Sequence, residues 1–201
     1  MSKRTLWLLA LIAVACLLFL VFSKTTSLKN SSLPSLSEGA AAKVPDLAAL
    51  NVQEWHEFTG KEPPFKVMLP TLPQHASDKP HKPLDSAEKK YEMYASQKPN
   101  GPLFVITIIS FDPGKQLDSA FLEQSLQKIV SATPENVLIK RESKRDKGIE
   151  HLYFEVKQDN FLLAGSMFAV NNRLFVLAET AERDLFNRSE FDFFINSFDL
   201  Q

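Results

Sequence analysis

Residues Leu6 to Phe22, LWLLALIAVACLLFLVF, form an uninterrupted apolar run without a charge, a glycine or a proline. With Thr5 and Ser23 the run makes a helix about 28 Å long, near the lower end of what crosses a bilayer core. The chain therefore divides before any finer reading, into a segment that belongs in lipid and a remainder that must fold without it. Lys3 and Arg4 precede the run, so the positive-inside rule keeps residues 1–5 in the cytoplasm and sends the rest across, although Lys24 and Lys29 follow it. The expectation is a single-pass transmembrane anchor over residues 6–22 and a C-terminal domain that is periplasmic or extracellular.

Two alternatives compete for the same segment. Ala13-Val14-Ala15 has the small residues of a signal-peptide cleavage site, but a cut there leaves a further apolar stretch behind it. Cys16 after that tripeptide is similar to a bacterial lipoprotein box. That box usually has Leu where Ala13 stands and a small or polar residue after the Cys, whereas Leu17-Leu18-Phe19 continue the run. An apolar-tolerant cysteine inside a helix is the simpler reading. Cys16 is also the sole cysteine, so the exported part has no disulfide, thiolate metal site or cysteine nucleophile.

Residues 23–52 are rich in Ser, Thr, Ala and Pro and contain no aromatic residue. Such a stretch buries too little apolar surface to offset its ordering entropy and is read as a flexible linker. The domain proper is expected over residues 53–201. Five of the 23 basic and two of the 24 acidic residues precede residue 53, so the domain carries 18 and 22, a net charge of −4. A mildly acidic domain is a poor match to a phosphate backbone, and no nucleic-acid partner is expected. The chain as a whole has 16 phenylalanines against three tyrosines and two tryptophans, and 14 of the 16 fall in this domain, which suits a substantial packed core.

Within the domain, Trp55–Thr59 and Phe65–Leu69 alternate as half-buried strands separated by Gly60 and Pro63-Pro64, and residues 71–87 read as a long Pro-containing loop. Tyr91–Ser96 and Leu103–Phe111 are strands joined at Pro99-Asn100-Gly101-Pro102, where Asn-Gly is a strong hairpin signal. The second is apolar on both faces and belongs in the middle of a sheet. Asp118 caps a helix whose stripe is Leu122, Leu126, Ile129, Val130 and Thr133, ended by Pro134. Val137–Glu142, Ile149–Lys157, Phe161–Val170 and Leu174–Glu179 then read as an antiparallel meander with joints at Lys144–Gly148, Asp159-Asn160 and Asn171-Asn172. Asn187 and Glu190 open a last helix in capping-box spacing, with Phe191, Phe194, Ile195 and Phe198 along one face. The expected fold is α+β: an antiparallel sheet of about eight short strands in the order ββββαββββα, with two packed helices.

The Trp55…Phe58 opening, the Phe65-Lys66-Val67-Met68-Leu69-Pro70 strand and the closing Phe193-Phe194-Ile195-Asn196-Ser197-Phe198 resemble the PsbP/Mog-type domains, over roughly residues 53–201. The resemblance implies an exported or membrane-anchored α+β domain that binds or regulates other proteins. It implies no shared catalytic set.

No motif for chemistry stands out. His75 and His81 share the Pro-rich loop with Asp78 and Asp85, but structural metal sites favour tighter spacing on ordered elements, so these read as solvated loop residues. Gly165-Ser166 lacks the flanking glycine and the strand-to-helix turn of a nucleophile elbow. Glu155 and Glu179 read as residues of a solvated strand face, and His151 as a surface or cross-strand residue. No cofactor is expected. Lys140, Arg141, Lys144, Arg145 and Lys147 cluster within eight residues and are a candidate contact for an anionic lipid or acidic partner, against the plainer reading of a charged hairpin tip. The function expected is a membrane-tethered binding or accessory module with an envelope protein partner. The alternative is a small-ligand-binding or hydrolytic domain using His151, Glu155 and Glu179. A third, an amphipathic lipid carrier, requires a large apolar cavity under the Phe-rich helix.

Overall fold

The computed structural model describes residues 54–78 and 90–201. The Leu6–Phe22 run, the 23–52 linker and the segment holding His81 and Asp85 lie outside the described residues. Among the described residues no helix is long and apolar enough to cross a membrane.

The described residues form ten strands and two helices in chain order: β1 (His56–Lys61), β2 (Pro64–Leu69), β3 (Gln74–Asp78), β4 (Lys90–Gln97), β5 (Leu103–Ser110), α1 (Ser119–Val130), β6 (Val137–Asp146), β7 (Ile149–Gln158), β8 (Phe161–Val170), β9 (Arg173–Glu182), α2 (Arg188–Asn196) and β10 (Asp199–Leu200). They make two antiparallel sheets rather than one: a seven-stranded sheet in the order β3-β4-β5-β9-β8-β7-β6 and a small one in the order β1-β2-β10. The expected count of eight strands falls short for a physical reason. Gln74–Asp78 has no apolar alternation, yet it pairs residue for residue along β4 as an edge strand whose backbone, not its side chains, is the attraction. The two-residue β10 likewise exists only through its pairing with Lys66 and Phe65 of β2.

Strand β5 is buried from Leu103 to Ile109 and lies between β4 and β9, as its two-faced apolar composition requires. The β4–β5 hairpin turns one residue earlier than Asn-Gly suggests. Pro99 and Asn100 occupy its centre, Asn100 alone at positive φ (53°), and Gly101 N–H donates to the Lys98 carbonyl at 3.0 Å. The meander from β6 to β9 is as read, with longer strands and tighter joints; Lys147 and Gly148 are the two left-handed residues between Asp146 and Ile149.

Alternation along the strands assigns the helices to opposite faces of the large sheet. Helix α1 buries Leu122, Ser125, Leu126 and Ile129, and Asp118 caps it by accepting from Phe121 N–H at 3.0 Å. Glu123 on α1 pairs with Arg141 of β6 on that face. Across the sheet α2 buries Phe191, Phe194 and Ile195 over Phe104, Ile106, Phe168, Phe175 and Leu177, and the small sheet completes this core with Phe65, Val67 and Leu69. Phe194 meets Phe104 edge-on at 5.3 Å, so the space beneath α2 is filled by aromatic packing. Asn187 caps α2 by accepting from Ser189 N–H, but Glu190 does not complete the capping box; its carboxylate instead holds Lys98 at 2.7 Å.

Candidate functional site

Strands β7 to β9 present His151, Tyr153, Ser166, Phe168 and Leu177 to the α2 side of the sheet, because alternate residues of paired strands share a face. Helix α2 covers part of this face and stops at Asn196. Phe198 and β10 then turn away to join the small sheet. The β6–β7 turn stands at the other side, and a cleft of about 210 Å³ is left between them. Its wall is aromatic. His151 lies 4.4 Å from Phe168 and 6.1 Å from Tyr153 between ring centres, and Phe168 meets Phe198 edge-on at 5.8 Å. Ile195 and Leu177 close the floor, and Asp146, Lys147, Asn196 and Asp199 stand at the mouth.

The polar groups of the wall are tuned by burial. His151 has its pKa lowered by desolvation, opposed by the charge of Asp146, so its ring is neutral at pH 7. Its Nδ1 faces Ser166 Oγ at 3.5 Å, at the outer limit of a hydrogen bond. Tyr153 is pushed above its usual range by burial and also bonds to Ser166. Ser166 itself is fully buried, on a strand behind the two rings, so it props the wall rather than facing the cleft.

His151, Glu155 and Glu179 share this face but do not converge. His151 and Glu155 are four residues apart on β7, about 13 Å along the strand, and only His151 lines the cleft. Glu155 pairs with Arg188 at the start of α2. Glu179, opposite Phe104 and Ala164, is not on a solvated face at all: it is fully buried, and neither carboxyl oxygen has a hydrogen-bond partner. Desolvation, with the nearby charge of Glu190, raises its pKa to about 8, so it is a neutral acid at pH 7. Nothing in the strand pattern marks it, because the helix that buries it arrives from residues beyond the meander.

The five basic residues are separated by strand alternation. Four lie on edge strand β6 rather than in a loop. Lys140 and Lys144 face the α2 side, where Lys144 pairs with Glu142 at 3.1 Å and lies 5.5 Å over the Tyr153 ring. Lys140 stands 3.9 Å from Glu142 and 4.0 Å from Glu155. Arg141 and Arg145 face the α1 side, Arg141 held by Glu123. Lys147 occupies the turn, 3.9 Å from Asp199. The structure thus does not gather the five into one patch. His75, placed on β3, stacks on Tyr94 at 4.5 Å and stands 3.8 Å from Glu92.

No protein-family model matches the chain, and no curated protein matches it. Among solved structures the chain is similar to the cyanobacterial PsbP (CyanoP) of Synechocystis sp. PCC 6803, with a TM-score of 0.54 at 13% identity, covering 81% of this chain and 98% of that one. The fold is accordingly PsbP-like. A protein of unknown function from Pseudomonas aeruginosa matches more weakly, with a TM-score of 0.36 at 13% identity over 65% of this chain and 85% of that one.

Proposed function

We propose that this chain is a membrane-tethered, extracytoplasmic binding or accessory module, anchored through residues 6–22, which engages an envelope protein through the cleft beside α2. The observation that carries the reading is an open cleft beside α2 with a wall of aromatic rings. Its volume of about 210 Å³ is below the 300–1,000 Å³ typical of pockets for drug-sized ligands and cofactors. That size suits one inserted side chain of a partner, which is how binding surfaces concentrate their affinity.

The test is site-specific photo-crosslinking in native membranes. A photoreactive residue in place of Asn196, exposed at the mouth of the cleft, yields one defined protein adduct. The same group in place of Gln127, exposed on α1 across the sheet, does not. Equal labelling from both positions, or none from Asn196, overturns the proposal. Asn196→Trp, which plugs the mouth, abolishes the adduct formed from a second reactive group at Lys147.

A further inference from the structure

The cleft is selective in charge as well as in shape. Four aromatic rings, those of Tyr153, His151, Phe168 and Phe198, run in sequence along its wall, and two carboxylates, Asp146 and Asp199, stand at its mouth. Aromatic faces attract cations through their quadrupoles, most strongly where water is displaced. The wall already does so at Tyr153, where the Lys144 ammonium lies 5.5 Å over the ring. His151, neutral at pH 7, adds no opposing charge.

Lys147 also stands at the mouth, but it is not a fixed occupant. Its ammonium is 3.9 Å from Asp199, and the two side chains are 80% and 57% exposed. An exposed pair of that length is worth little and exchanges readily. A competing cation inserted against the rings therefore displaces Lys147 at small cost and inherits Asp199.

We infer that the cleft is built to take the guanidinium of an arginine side chain presented by the protein partner. Resting on the cleft reading above, this inference adds the chemistry of the group that enters. Guanidinium is the cation that best fits the surroundings. It is flat, so it stacks on ring faces, and weakly hydrated, so it desolvates more easily than ammonium. Its N–H groups form a fork that serves two carboxylates at once. The cleft's depth takes the apolar stem against Ile195 and Leu177.

The experiment titrates the full-length chain in detergent micelles with Nα-acetyl-arginine methylamide and, separately, with its citrulline counterpart, which keeps the shape and loses the charge. Binding is read from the His151 ring resonances. The arginine probe shifts them, and the citrulline probe binds about tenfold more weakly. The double variant Asp146→Asn, Asp199→Asn weakens the arginine probe by about fivefold or more and leaves the citrulline probe unchanged. Both carboxylates are exposed, so the fold does not depend on them. Equal binding of the two probes, no shift with either, or an arginine affinity indifferent to the double variant overturns the inference. The cleft reading stands or falls separately, on the crosslink from Asn196.

Discussion

A carboxylic acid in the middle of a sheet, with no partner for either oxygen, is the least comfortable residue in this domain, and it makes a prediction with a definite sign. Unfolded, Glu179 releases its proton near pH 4.5; folded, it keeps it to about pH 8. Between those values the native state holds one more proton than the unfolded chain. Stability therefore falls as pH rises across this window, by up to about 1.4 kcal/mol per unit, and levels off above it. In denaturant titrations, Glu179→Gln should flatten that slope and leave the variant more stable than the parent at pH 8, by up to about 4 kcal/mol. A parent whose stability is level from pH 5 to 8 contradicts the assignment. Gly165 makes a second residue-scale prediction. It faces Phe154 across the β7–β8 pair, and a Cβ there would stand 2.3 Å from the ring. Gly165→Ala should cost about 1–3 kcal/mol by overpacking, seen as a lower urea midpoint at unchanged slope. The glycine that looked like half of a nucleophile elbow is a seat for an aromatic ring.

At the scale of elements, legibility follows locality. The Leu122, Leu126 and Ile129 part of the α1 stripe, its Asp118 cap, the Phe191–Phe194–Ile195 face and the two-faced β5 stand in the sequence because each is decided by residues a few positions apart, whereas Thr133 falls beyond the helix, which stops at Val130. Strand β3, the split into two sheets, the burial of Glu179 and the separation of the five basic residues were not legible. Each depends on which distant segment lies alongside. The cleft is the extreme case, since its walls come from β7, β8, α2 and β10 and no stretch of chain contains it. Helix α2 is the element on which most of this depends. It covers Glu179, supports Ile195 in the cleft and closes the core. Phe194→Ala should cost about 3–5 kcal/mol, because the ring is fully buried against Phe104. Asn187→Ala should cost about 1 kcal/mol, the loss of one cap. Both should show as loss of amide-exchange protection in α2 before α1, which packs on the opposite face.

For the whole molecule, the apolar run at residues 6–22 and the domain are separable if the core is complete without residues 1–52, and Trp55 is the residue that tests it. Its ring is buried, meeting Phe104 edge-on at 5.0 Å and Phe193 at 5.3 Å, with the Lys98 ammonium 5.5 Å above it. It thus links the start of the domain to β5, to α2 and to the β4–β5 turn. Among the described residues, the core cluster begins at this tryptophan. A chain beginning at residue 52 should therefore unfold in water as one cooperative transition without detergent. A chain beginning at residue 57 loses the ring and should be less stable by about 3–5 kcal/mol, the usual range for deleting a buried Trp side chain. Urea titrations of the two proteins, each followed by aromatic circular dichroism, make the comparison. If the longer one is already unfolded, residues outside the described domain contribute to its core. If the two are equally stable, Trp55 is an ornament rather than the clasp. Carbonate extraction of the intact chain tests the other half. An anchor at residues 6–22 keeps it in the membrane fraction, while the chain beginning at residue 52 is released.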